Sequence, residues 1–114
     1  MDDKRKIKRR HLIYYLRIFD LVTEQLVGHL IDITTEGIMV MSEQPFENDK
    51  AFKFRMALPT DIFKERYIEF EVISKWCRHD VDPAFYNTGF YLVNPTDKDN
   101  LIIKRLISDF GFHD

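Results

Sequence analysis

The 114-residue chain has a single cysteine, Cys77, so it can form no internal disulfide and no thiol pair of the kind that holds zinc or cycles redox equivalents. A reducing compartment is the simpler expectation. Glycine and proline are scarce, four of each, which excludes collagen-like and low-complexity chains. No apolar run approaches the roughly 18 residues of a membrane span. The first ten residues are charged where a signal peptide would be apolar, so the expectation is a cytoplasmic protein. What is present is 45% hydrophobic and 32% charged residues spread along the whole length, material for one core and one domain.

Charge is unevenly placed. Lys4, Arg5, Lys6, Lys8, Arg9 and Arg10 against Asp2 and Asp3 give residues 1–10 a charge of +4, which leaves −6 on the remainder of a chain whose net charge is −2. With only Met1 and Ile7 as apolar residues there, this segment cannot bury enough surface to offset its own ordering entropy. Residues 1–11 are therefore expected to be a flexible basic arm, either solvated or closing over an anion.

Residues 12–114 are expected to form the folded domain. The β-branched and aromatic run from Leu12 to Phe19 predicts a first strand. Leu26 to Ile33 predicts a second, with Val27, His29 and Ile31 on one face and Leu26, Gly28, Leu30 and Asp32 on the other. A break at Thr34 to Gly37 leads to a third around Ile38 to Met41. Phe52, Phe54, Met56 and Leu58 alternate with Ala51, Lys53, Arg55 and Ala57 in the clearest strand pattern, ended by Pro59. A long strand runs from Tyr67 to Arg78, with a slip of phase near Ile73 to Lys75 that predicts a bulge. Tyr86 to Val93 is the sixth strand, where Gly89 permits a bulge or a close approach. Thr96 and Asp99 form a capping-box pattern that opens a helix over 97–110, with Leu101, Ile102, Ile103, Leu106, Ile107 and Phe110 as its apolar stripe and Gly111 as its C-cap. Six strands at regular spacing with a terminal helix predict an all-β, six-stranded antiparallel barrel.

Arg5 and Arg9 are spaced as R-x-x-x-R, and Lys6 with Arg10 repeats that spacing. Asp32-Ile33-Thr34-Thr35-Glu36-Gly37 follows some twenty residues later, and Trp76 and Tyr86-Asn87-Thr88-Gly89-Phe90 come later still. Over nearly the whole chain this arrangement resembles the PilZ domain family, whose pattern is R-x-x-x-R followed by [D/N]-x-S-x-x-G, with Thr34 standing where the family has Ser. The resemblance implies a PilZ-like barrel whose ligand is cyclic di-GMP. Either Arg5 and Arg9 or Lys6 and Arg10 fill the arginine pair. An arginine fork can bridge guanine O6 and N7 or clamp a phosphate, which a lysine cannot do. Asp32 can accept from guanine N–H groups, and Thr34 can bond a phosphate oxygen or the turn backbone. Gly37 is expected to supply a positive φ. Trp76 reads first as a packing residue of the barrel and second as a surface on which guanine stacks.

Nothing else in the sequence carries chemistry. His11, His29, His79 and His113 lack metal-ligand spacing, so no metal is expected. Cys77 has no His and Asp partners implied, and Glu69 with Glu71 share a solvated strand face, so no enzyme is expected and no cofactor. The expected function is a receptor that takes up cyclic di-GMP, orders its arm and changes its contacts with a downstream protein partner; the resemblance also allows a homodimer. The alternative is a PilZ-like adaptor that binds no nucleotide and acts by protein contacts alone. Nucleic acid ranks last as a partner, because the −6 remainder repels a polyanion.

Overall fold

A strand that alternates apolar and polar side chains can bury one face only by curling against its neighbours, and six such strands in this chain do so by closing on themselves. The computed structural model describes residues 16–110. The basic arm, the Leu12 to Tyr15 part of the first predicted strand and Gly111 lie outside the described residues. The elements are β1 (Arg17–Asp20), β2 (Leu26–Ile33), β3 (Gly37–Ser42), β4 (Ala51–Ala57), β5 (Tyr67–His79), β6 (Tyr86–Val93) and α1 (Asp97–Phe110). The strands form a closed antiparallel barrel in the order β1-β2-β3-β6-β5-β4. No described helix is long and apolar enough to cross a membrane.

The barrel interior follows the predicted phases on most strands. Phe54 and Met56 of β4, Ile68, Phe70 and Val72 of β5, and Val40, Phe90 and Leu92 from β3 and β6 are all buried. Phe46, Phe52, Phe54 and Phe90 meet edge-on or stacked with ring centroids 5.1–6.2 Å apart, the spacing at which aromatic pairs add to simple area burial. α1 closes the capping box: the Thr96 hydroxyl accepts the Asp99 N–H at 3.0 Å, and the Asp99 carboxylate accepts the Thr96 N–H at 3.1 Å. Ile102, Ile103 and Leu106 then add to the same core. Leu101, expected in that stripe, is instead 68% exposed, because at about 100° per residue it is rotated away from the face that Ile102, Ile103 and Leu106 bury.

One strand departs from its predicted phase. In β2 the register shifts between Leu30, paired with Val40, and Asp32, paired with Met39. Ile31 is the additional residue of a β-bulge, so Leu30 and Ile33 both point inward, and Asp32, expected on the same face as Leu30, turns out of the barrel. β5 carries the bulge expected of it, between Ser74 and Trp76.

The antiparallel order brings the β2–β3 turn, the β4–β5 loop and the exit of β6 to one end of the barrel. The described chain enters at that end too, where the Leu16 carbonyl accepts the Leu30 N–H at 2.9 Å. Phe54 is fully buried at the centre of the aromatic cluster. Phe54→Ala is therefore expected to lower the unfolding free energy by about 3–5 kcal/mol in urea titrations; a loss well under 1 kcal/mol would contradict this packing.

Candidate functional site

The two bulges act together on the outer wall. Register pairs Asp32 with Met39, Met39 with Gly89 and Gly89 with Trp76, so one transverse row crosses β2, β3, β6 and β5. Without Ile31 as a bulge Asp32 would face inward with Leu30, and without Lys75 Trp76 would face inward with Val72 and Ser74. Each insertion moves a residue that the alternation assigns to the core onto the surface.

Trp76 is half-buried on this wall, and its indole lies over Gly89. A Cβ at position 89 would stand 2.4 Å from the indole, so only glycine lets the ring lie flat there. The packing role first expected of Trp76 is thus exercised outside the barrel rather than within it. The Arg78 guanidinium sits 4.5 Å from the indole centroid, and the Lys75 ammonium sits 5.7 Å from the Tyr91 ring. Both are cation–π distances. Tyr91, 51% exposed, faces Gly37 across the β3–β6 pair.

The turn beside this row is shaped by Thr34. Its Oγ1 accepts the N–H groups of Glu36 at 3.1 Å and Gly37 at 3.2 Å, and its own N–H donates to the Gly37 carbonyl at 2.9 Å. The hydroxyl proton has only the Gly37 carbonyl at 3.5 Å, the limit of a hydrogen bond, so it can turn to a stronger acceptor. The Leu92 N–H donates to the Glu36 carbonyl at 2.9 Å and ties the turn to β6. Gly37 does not have the positive φ expected of it. Its requirement is closeness, since a Cβ there would stand 2.3 Å from the Phe90 carbonyl oxygen. Among the described non-glycine residues, positive φ falls instead on Glu24, Asp49 and Asn94.

Asp32, Thr34, Gly37 and Trp76, expected from sequence, all line one shallow depression of about 270 Å³, joined by Glu36, Met39, Lys75 and Tyr91. Arg5, Lys6, Arg9 and Arg10 lie outside the described residues. Asp32 Oδ1 accepts the Ile33 N–H at 2.9 Å, and Oδ2 is without a partner among the described residues. The depression therefore offers flat aromatic faces, a carboxylate oxygen able to accept two N–H donors, a rotatable hydroxyl and a lysine. That combination suits a planar heterocycle carrying both N–H groups and anionic substituents. Lys75, Arg78 and Tyr91 were missed by sequence reasoning, though their alternation around Trp76 and Phe90 is the signal that could have exposed them. Among the described residues no group of three or more His, Cys, Asp or Glu side chains is placed to hold a metal ion.

By sequence, no family model and no curated protein matches the chain. By fold, it is similar to the Bacillus subtilis inhibitor of motility (MotI/DgrA), with a TM-score of 0.65 and 17% identity over 82% of this chain; the match spans 44% of that longer protein. It is also similar to the PilZ domain of YcgR from Escherichia coli, solved with c-di-GMP, with a TM-score of 0.63 and 13% identity over 85% of this chain and 81% of that one. The barrel is thus a PilZ-like domain in fold.

Gly89→Ala is expected to lift the indole from the wall. Trp76 is the single tryptophan, so the variant's emission should shift to the red while far-ultraviolet dichroism is retained. Unchanged emission would contradict the flat seating of the ring.

Proposed function

We propose that this PilZ-like barrel is a cytoplasmic, non-enzymatic receptor domain that binds cyclic di-GMP on the wall formed by Asp32, Thr34, Gly37 and Trp76. Arg5, Arg9 and Arg10, with Lys6, close over the nucleotide from the arm, and the ordered arm changes contacts with a downstream protein partner. The observation that carries this reading is the convergence of Asp32, the Thr34–Gly37 turn and Trp76 in one depression, from strands 39 or more residues apart in sequence. The likeness to a PilZ domain solved with c-di-GMP supports it.

The chemistry of each group supports it further. Asp32 Oδ2 accepts the guanine N1–H and exocyclic amine, Trp76 stacks on the purine, and the Thr34 hydroxyl donates to a phosphate oxygen. Asp32 and Glu36 make the depression itself poor in positive charge, with Lys75 alone opposing them in its lining. A doubly anionic ligand needs more cations than that, and the arm holds six. Reach is sufficient: Leu16 is bonded to Leu30, two residues from Asp32, and the six residues back to Arg10 extend up to about 20 Å. Ordering six residues costs about 6–12 kcal/mol. Four charge-assisted hydrogen bonds at about 1.5–3 kcal/mol each offset that cost.

Calorimetric titration of the full chain with cyclic di-GMP tests the reading. Saturable heat is expected, weakened at least about tenfold by Asp32→Ala, which removes a hydrogen bond to a charged group, and lost when residues 1–10 are deleted. No saturation at high micromolar nucleotide would reject it and leave the adaptor reading in its place.

A further inference from the structure

A second concavity, of about 500 Å³, opens between β1, the end of β4 and the β4–β5 loop, lined by Arg17, Leu58, Thr60, Lys64, Arg66 and Tyr67 among others. It is separate from the depression described above. Tyr67 precedes Trp76 by nine residues along β5, roughly 30 Å at about 3.3 Å per residue.

The cleft is unusual for this domain in its charge. Residues 16–110 hold 11 basic and 16 acidic side chains, yet three cations and no carboxylate line the cleft. Elsewhere Lys50, Arg55, Lys98 and Arg105 are ion-paired with Glu47, Glu69, Glu65 and Asp109. Lys75 and Arg78 lie over aromatic rings. Arg17, Lys64 and Arg66 close no ion pair among the described residues.

The arrangement has a structural cause. In Lys64-Glu65-Arg66 the central carboxylate is turned to Lys98 of α1 at 3.2 Å, and it is absent from the cleft lining. Hydrogen bonding to its own backbone N–H, and then to Lys98, holds the Glu65 carboxyl below its ordinary value. The loop is braced as well. The Leu58 N–H donates to the Arg66 carbonyl at 2.8 Å, and buried Phe63 lies under the Arg105 guanidinium, 5.2 Å from its ring centroid. Two arginine forks and a lysine, held on a braced rim with the neighbouring carboxylate drawn aside, form a local positive field on an otherwise acidic domain.

We infer that the Arg17, Lys64 and Arg66 cleft binds the diphosphate or polyphosphate group of a small molecule, independently of the wall around Asp32 and Trp76. The guanidinium forks clamp adjacent phosphate groups bidentately, Lys64 neutralises the remaining charge, and the Thr60 hydroxyl donates a hydrogen bond. The volume lies within the range of small-ligand sites.

Calorimetry of the full chain with inorganic pyrophosphate tests this. One saturable site is expected, weakened at least tenfold in both Arg17→Gln and Arg66→Gln and unchanged in Asp32→Ala, with all three variants keeping the parent's melting temperature within a few degrees. Rescue by Arg66→Lys should be partial, since lysine restores charge but not the fork. Absence of saturation would overturn the inference, and so would binding by both Gln variants as tight as the parent's, which would assign the pyrophosphate uptake to the basic arm. Sedimentation with phosphatidylglycerol vesicles distinguishes the source of phosphate: vesicle binding lost in Arg66→Gln and not displaced by pyrophosphate would overturn a soluble ligand in favour of a lipid surface. The cyclic di-GMP titration with Asp32→Ala reads the other wall, so failure of either proposal is told apart from failure of the other.

Discussion

Two single-residue insertions in the hydrogen-bond ladder govern what this barrel presents to solvent. Strand side chains alternate, so a residue two or four positions from a core residue is itself directed inward. Ile31 in β2 and Lys75 in β5 each break that rule once, and in consequence Asp32 and Trp76 emerge on the same outer row. A carboxylate in the barrel interior would be desolvated without a partner, at a cost of several kcal/mol. The bulge in β2 thus relieves the core of a buried charge and at the same moment places that charge on the outer row that also carries Trp76.

Close approach completes the wall. Gly89 lets the indole lie against the backbone, and Gly37 lets the turn lie against the Phe90 carbonyl. Neither glycine serves a left-handed backbone; both are small because something is packed where a Cβ would be. Thr34 performs the local work of the turn through its hydroxyl oxygen and keeps its proton weakly engaged. The result is a shallow surface of fixed shape, which reduces what a ligand must order on arrival. The proposed function draws the basic charge it lacks from the arm, and the first described residue, Leu16, is hydrogen-bonded to Leu30, two residues from Asp32.

Much of the architecture was legible in the sequence because strict alternation and a capping box leave little ambiguity. The bounds of β2 and β6, the phase of β4, the bulge of β5 and the Thr96 to Asp99 cap all stand as read. The β2 bulge was hidden because Leu30, Ile31 and Ile33 are all apolar, so the lone polar residue among them gives no phase of its own. Gly37 was assigned the wrong reason because a glycine in a turn pattern does not disclose whether φ or crowding requires it. The cleft of Arg17, Lys64 and Arg66 was illegible, since it exists only once antiparallel pairing of β1 with β4 brings residues almost fifty positions apart to one rim. Local pattern reports on elements; charge that converges through tertiary pairing does not appear in it.

The central claim, that the outward row from Asp32 to Trp76 seats a guanine nucleotide, is tested most directly by the intrinsic fluorescence of the full chain during addition of cyclic di-GMP. One tryptophan is present, so the emission reports that wall alone. The account predicts saturable quenching that tracks the binding heat, as the purine stacks on the indole. Saturable heat with unaltered emission would show that the nucleotide binds elsewhere and would contradict the account.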